Sequence, residues 1–163
     1  MRTIRFLAAA ALLLAPAALS AQTATGTVAA TATVKTAVSF GTPTDLAFGD
    51  ITPNVAKTIA PADGGKISLS YNTSATVTVG TLTMSGPNSQ TFAPTLACAQ
   101  DAASNAAAPT TFACATGYTP ALSGGAATWH FYIGGTVPAA ASQNLPAGSY
   151  TGSVTLTATY TAL

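Results

Sequence analysis

Residues Tyr150–Tyr160 read Tyr-Thr-Gly-Ser-Val-Thr-Leu-Thr-Ala-Thr-Tyr. Every odd-numbered position is Thr or Ser, whereas the even-numbered positions include Val154 and Leu156. A strict two-residue period is typical of a β-strand that buries one face and exposes the other. Pro146-Ala147-Gly148 supplies turn chemistry directly before it. We therefore predict a strand over Tyr150–Tyr160, with Val154, Leu156 and Tyr160 on the core side.

Other short alternating segments precede this stretch at fairly regular intervals, with Gly, Pro and Asn-rich turn signals between them. The predicted strands include Leu46–Pro53, Lys66–Tyr71, Thr76–Met84 with a bulge or bend at Gly80, and Ala127–Ile133 ended by Gly134-Gly135. Such spacing indicates an all-β fold, either an antiparallel sandwich or a barrel. Because the chain has no long amphipathic helix, a parallel α/β fold is not expected.

The first residues have the composition of a secretory signal peptide. Arg2 and Arg5 precede the apolar run Leu7–Leu14, and small residues follow it up to Ala21. The run is shorter than the roughly 20 residues that a membrane-spanning helix needs. We predict cleavage after Ala21, a single domain over residues 22–163 with no membrane span, and export to the periplasm, the cell surface or the medium.

The charge content of the chain is very low. Charged residues make up 6% of the sequence and Glu is absent, against roughly 25% charged residues in typical proteins. The basic residues after the predicted cleavage site, Lys35, Lys57 and Lys66, are matched by scattered Asp residues. This balance gives no basic surface for nucleic acid or anionic lipid, so we expect no nucleic-acid partner.

Cys98 and Cys114 are the only cysteines. In an exported chain, two cysteines are expected to form a disulfide. A metal site would need more Cys or clustered His, and thiol catalysis would need a second His or a Cys-X-X-Cys spacing. We predict a structural disulfide between Cys98 and Cys114.

The inventory of catalytic residue types is small. His130 is the only histidine, and it alternates with Trp129 and Phe131 in a predicted strand. The sequence has no Gly-X-Ser-X-Gly elbow and no calcium-loop pattern around Asp45 and Asp50. We therefore expect a non-enzyme without cofactor or metal, in which His130 lies on the solvent face of its strand.

Three stretches together resemble bacterial secreted domains of the spore coat protein U type and a related family of exported β domains. They are Leu46–Pro53, Ile133-Gly134-Gly135-Thr136-Val137 and Leu145–Tyr160. Both groups are similar to subunits of chaperone–usher pili. The resemblance implies a pilin-like, immunoglobulin-like antiparallel β-sandwich that assembles into surface fibres or coats. It also implies a periplasmic chaperone and an outer-membrane usher as partners.

In pilin-like domains a missing strand leaves a hydrophobic groove, which the N-terminal extension of a neighbour fills by strand addition. The resemblance assigns the donor role to residues 22–34, with the groove-filling positions Val28, Ala30, Ala32 and Val34. The groove would be bordered by the final strand through Tyr150, Val154, Leu156 and Tyr160. The partners would be neighbouring copies of this chain or related subunits. In the alternative, Gly26–Phe40 is the first strand of a complete, monomeric sandwich.

A second class of function stays open. The domain could be a monomeric secreted adhesin or carbohydrate-binding β-sandwich, in which aromatic side chains stack on sugar rings. The candidates for such stacking are Trp129, Tyr132, Tyr118 and Tyr71. An exposed aromatic row on one sheet face would favour this function, whereas Trp129 in a sandwich is more often part of the core.

Overall fold

The structure is a computed structural model that describes residues 29–31, 38–104, 108–121 and 127–160, and its main compact unit is Val34–Leu163. The strands in the described residues are β1 (Val38–Phe40), β2 (Lys57–Ile59), β3 (Gly65–Tyr71), β4 (Ala75–Val79), β5 (Met84–Ser85), β6 (Thr91–Phe92), β7 (Thr95–Asp101), β8 (Thr110–Phe112), β9 (Ala127–Val137) and β10 (Leu156–Tyr160). One short helix, α1 (Ala139–Ser142), and two single 3₁₀ turns join them. The prediction of an all-β fold is confirmed.

The larger layer is an antiparallel sheet with the strand order β1-β3-β9-β7-β8, in which β2 also pairs with β9. Its central strand, β9, alternates as the sequence predicts: Phe131, Ile133 and Val137 face the core, and His130 and Thr136 face outward. Each residue of β9 has at least one cross-strand partner, and most of its central residues have partners on both sides, which explains why an eleven-residue strand persists here.

The second layer is built around one antiparallel pairing, between residues 75–85 and residues 150–160, which is regular at one end and reduced to a bridge at the other. β10 pairs antiparallel with β4, from Leu156 opposite Val79 to Tyr160 opposite Ala75. Farther along, Thr151 bridges to Ser85 in β5, which pairs with β6. The stretch 150–160 therefore runs beside 75–85 over most of its length, and this places the apolar face of the final segment over the larger sheet.

Between the two layers lies an apolar core, so the fold is an antiparallel β-sandwich. One end of the core contains Phe48, Leu82, Phe92 and Val137. The other end contains Leu69, Tyr71, Val77 and Phe131, and between the ends lie Val79, Cys98 and Ile133. Leu69, Val77 and Phe131 have no solvent exposure at all, so their burial supplies a large part of the stability of the sandwich.

Tyr150 fixes the start of the final segment. Its hydroxyl donates a hydrogen bond of 3.0 Å to the carbonyl oxygen of Pro146, four residues upstream, and its ring packs against Phe92 at a centroid distance of 5.3 Å. A tyrosine that bonds back to the backbone near the start of a late strand is the tyrosine corner of immunoglobulin-like sandwiches.

The strand boundaries of the last segment differ from the prediction. The regular strand is Leu156–Tyr160, while Tyr150–Thr155 is irregular apart from the bridge at Thr151. Its partner has the same interruption, because β4 ends at Val79 and β5 begins only at Met84. The bend predicted at Gly80 thus lies where both chains leave regular pairing together.

Two further strand predictions are wrong. Gly134-Gly135 does not end β9, because a glycine at position 134 lets the backbone of Ile59–Pro61 pass directly over the strand, where any side chain would collide with it. Leu46–Pro53 is not a strand: Phe48 is buried as a single anchor, and Gly49 adopts a positive φ of 63° that turns the chain. In the sequence, this short segment with one buried side chain has the same spacing of apolar residues as a short strand.

Candidate functional site

One side of the sandwich is closed by the disulfide. Cys98 in β7 and Cys114 are bonded with their Cα atoms 5.4 Å apart, which confirms the disulfide prediction. The segment after Cys114 pairs with the edge of β4, where Val77 and Tyr118 exchange hydrogen bonds of 2.8 and 2.9 Å. Cys98 is only 2% exposed. The bond therefore fastens the larger sheet to the second layer on this side.

The opposite side of the sandwich is open. Its two borders are β1, the outermost strand of the larger sheet, and β10, the outermost strand of the second layer. In the part of the chain that the structure describes, no strand pairs with the outer edge of either one. Val38 and Ile67 of the larger sheet and Leu156 and Ala158 of β10 are partly buried and pack against the same core cluster.

Aromatic side chains on the inner faces of these two borders are exposed. Phe40 is opposite the buried Leu69, and Tyr160 is opposite the buried Ala75, so both point to the interior of the sandwich. Phe40 is nevertheless 37% exposed and Tyr160 48% exposed. Tyr160 thus lies on the core side of its strand, as predicted, but the described residues do not cover its side chain.

The backbone of β10 also directs hydrogen-bonding groups to the open side, where no strand of the described residues pairs with them. Gly80 N donates to Thr155 O at 2.9 Å, and Thr151 exchanges two bonds with Ser85. Because N–H and C=O groups alternate in direction along an antiparallel pair, the odd-numbered residues point to β4. Leu156, Ala158 and Tyr160 consequently direct their backbone N–H and C=O groups away from β4, toward the open side.

A groove of about 590 Å³ follows this open side. Ile67 and the segment that follows β1 line one wall, and Gly152–Leu156 line the other. It adjoins a second cavity of about 560 Å³ at the end of the sandwich, because Leu46, Met84 and Tyr150 line both. Together the two cavities form a channel beside the final segment, and both apolar and polar groups line it.

The predicted border residues meet in this channel. Tyr150, Val154 and Leu156 line the groove, whereas Tyr160 lies beyond it on the same inner face of β10. Of the predicted donor positions, Ala30 is described and forms no strand; Val28, Ala32 and Val34 lie outside the described residues, as does the predicted signal peptide. Their role in strand addition stays a prediction.

Sequence reasoning missed which residues border the open side from the larger sheet. Val38 and Phe40 were predicted as part of one long alternating segment, Gly26–Phe40, but the described strand is β1 alone, at the edge of the larger sheet. Ile67 shares a face of β3 with the buried Leu69 and is only half-buried. No local signal distinguishes an inner-face residue at an edge from one at the centre, since both alternate in the same way.

His130 lies on the outer face of β9, between Ser68 of β3 and Asp101 of β7. Among the described residues, no hydrogen bond reaches its buried Nδ1, and Asp101 Oδ1 instead accepts a bond of 2.9 Å from Ala103 N. Burial lowers the pKa of His130 and Lys66 lowers it further, while Asp101 opposes both. Ser, His and Asp thus stand side by side without the hydrogen bonds that activate a nucleophile.

The aromatic candidates for sugar stacking do not form an exposed row. Tyr71 is 2% exposed and Tyr132 is 1% exposed. Trp129 and Tyr118 are half-buried and pack against each other with ring centroids 5.6 Å apart, next to the core. Their faces are occupied by neighbouring side chains, so the described residues give no specific support to carbohydrate stacking.

The described residues contain neither a side-chain cluster for a metal ion nor a helix for a membrane span. No group of three or more His, Cys, Asp or Glu side chains is placed to hold a metal ion in these ranges. No helix in them has the length and apolar character to cross a membrane.

The family described as a domain of unknown function (DUF4402) matches residues 38–160. The chain belongs to the DUF4402 family. The match begins at the first residue of β1 and ends at the last residue of β10, so the DUF4402 domain coincides with the sandwich. A comparison with curated proteins finds no match. The resemblance of this DUF4402 chain to spore coat protein U domains stays a prediction.

Proposed function

We propose that the protein is an exported, non-catalytic structural subunit of a surface fibre, pilus or coat that assembles by β-strand addition. The observation that carries the proposal is the exposure of Phe40 and Tyr160, two inner-face aromatics on the two borders of the open side. Exposed inner-face side chains beside a free strand edge are what an added strand would cover.

The proposed donor is the N-terminal segment, residues 22–34. Val28, Ala30, Ala32 and Val34 alternate with polar or small residues, and the segment is slightly longer than Tyr150–Tyr160, so it could pair along the whole border. It also precedes the family match, which begins at residue 38. A segment outside the domain proper is free to serve a neighbour.

Chain reach limits where the donor can come from. β1 begins at Val38, which pairs with Tyr71, and Tyr160 pairs with Ala75 across the short β3–β4 turn. The start of β1 is therefore at the Tyr160 end of the groove. A donor that runs antiparallel to β10 would leave its Val34 at the other end, about 30 Å away along the strand.

Only residues 35–37 separate Val34 from Val38, and they can span at most about 14 Å. An antiparallel donor must therefore belong to another copy, whereas the same chain could supply only a parallel one. Every strand pair in the described residues is antiparallel, and antiparallel pairs are slightly more stable per residue. The topology thus favours exchange between copies over a self-complete monomer.

Assembly of this kind also accounts for the partners and the compartment that we propose. An apolar groove that is open before assembly would need a cover during export, the role of a periplasmic chaperone, and an outer-membrane usher would order the subunits. The disulfide is compatible with an oxidising, exported location. The low content of charged residues leaves the strand edges without a common guard against pairing.

Two variants test the proposal in opposite ways. Ala158→Pro removes an N–H that points to the open side, so the variant should fold and donate a strand but accept none. Deletion of residues 22–34 keeps every strand of the sandwich from Val38 to Tyr160, so this variant should accept a strand but donate none. Each variant alone is expected to be monomeric in analytical ultracentrifugation, and their mixture should give a one-to-one dimer and nothing larger.

The matched control is Thr157→Pro, one residue away. Its N–H points to β4, so this variant should lose thermal stability, whereas Ala158→Pro should not. The proposal is wrong if the deleted chain assembles like the intact one. It is also wrong if the two variants stay monomeric when mixed while the intact chain assembles. If Ala158→Pro does not fold, a mixture of the deleted chain with the intact chain still tests the proposal. The deleted chain accepts a strand but donates none, so it should end the growing assemblies and make them shorter.

A further inference from the structure

The outer face of β4 and β10 is a threonine surface. In the register of the two strands, Thr78 lies opposite Thr157 and Thr76 lies opposite Thr159. The hydroxyl of Thr76 is also 2.6 Å from that of Thr119, on the segment along the other edge of β4. We call these cross-strand lines of threonine the threonine rows; they end at the free edge of β10.

Facing hydroxyls make contact elsewhere in this protein. On the outer face of the larger sheet, the hydroxyls of Ser70 and Thr128 are 3.2 Å apart and those of Thr58 and Thr136 are 2.9 Å apart. These are hydrogen-bonded cross-strand pairs of the kind that stabilise a sheet. A threonine on a strand added beside Thr157 and Thr159 would therefore have a ready partner.

The proposed donor has threonines in the required alternation. In an extended strand, Thr23, Thr25, Thr27, Thr31 and Thr33 would share the face opposite Val28, Ala30 and Ala32. We propose that these outward threonines continue the threonine rows, so that Thr157 and Thr159 select the partner strand and its register. This inference rests on the proposed function. The partner they fit is the N-terminal segment of a second copy of this chain. A shift by two residues would bring Ala29 or Lys35 into a row, and a shift by one would turn the threonines inward.

Removal of the two hydroxyls measures the contribution of the rows. Valine has nearly the shape of threonine, so Thr157→Val with Thr159→Val keeps the strand but removes the hydrogen bonds. One cross-strand pair contributes about 1.4- to 5-fold in affinity, so the double variant should assemble about 2- to 30-fold more weakly. Thr128→Val, on the outer face of the other sheet, should leave assembly unchanged. The inference is overturned if the double variant assembles as strongly as the intact chain.

Cysteine pairs locate the contact directly. A mature chain carrying Thr157→Cys is mixed with one carrying Thr31→Cys or Thr33→Cys, oxidised, and examined on a non-reducing gel. We expect a cross-linked dimer with one of these and none with the matched controls Ala30→Cys and Ala32→Cys, whose side chains should face the groove. Cross-links that favour the alanine positions, or no preference, overturn the threonine rows while strand addition stands. Absence of both cross-links and assembly in the intact chain refutes the proposed function as well.

Discussion

Loss of the disulfide should destabilise the sandwich by an amount that its position in the chain predicts. The perturbation is the double substitution Cys98→Ala with Cys114→Ala. The two cysteines are 16 residues apart, and in the chain-entropy model the closure of such a loop stabilises the fold by about 3 kcal/mol. Cys98 is buried, so loss of its sulfur should add a small packing cost.

Urea unfolding followed by tryptophan fluorescence provides the assay, because Trp129 is the only tryptophan and packs next to the core. With a urea slope of roughly 1–3 kcal/mol/M, the midpoint of the double variant should fall by about 1–3 M. The intact chain measured under strong reductant is the control, since it loses the cross-link but keeps both sulfur atoms.

The result that would refute the reasoning is an unchanged midpoint in both samples. It would mean that the loop between β7 and the second layer is already restrained in the unfolded chain. A loss of stability in the double variant but not in the reduced chain would assign the effect to packing of the sulfur atoms rather than to loop closure.

Two further predictions concern single residues of the larger sheet. Gly134→Ala should cost about 1–3 kcal/mol in unfolding free energy, because the added Cβ would lie 2.6 Å from Pro61 N. The control Gly80→Ala, whose Cβ would lie 3.3 Å from its nearest atom, should cost less. Equal thermal midpoints for the two variants would contradict the close approach at Gly134. The pKa of His130 is lowered in the folded chain. As the pH falls, the unfolded chain therefore takes up this proton near pH 6.5, before the folded chain does. The free energy of unfolding should decrease below about pH 6.5 and level off once the pH is below the folded pKa. His130→Gln should remove this part of the pH dependence in unfolding titrations, and an unaltered profile would show that other groups cause it.

The candidate site divides into a part that alternation reveals and a part that it does not. Val154 and Leu156 could be placed on the inner face because every second residue of their segment is apolar. Phe40 and Ile67 lie on the inner face of the larger sheet at the open side, yet their own segments alternate like any core strand. Their exposure depends on which strands lie outermost in each layer, and this order is a property of long-range pairing.

By itself, the sequence determined the fold class and the disulfide. Period-two alternation specifies which residues share a face, and two cysteines in a chain with a secretory signal pattern have few chemical alternatives. Only the tertiary structure decided that Gly134 lies inside a strand and that the sandwich is fastened on the Cys98 side. It also decided that, among the described residues, nothing covers Tyr160 and no strand pairs with the outer edges of β1 and β10. The direction of a side chain follows from the local backbone geometry, whereas its burial depends on residues that are distant in sequence.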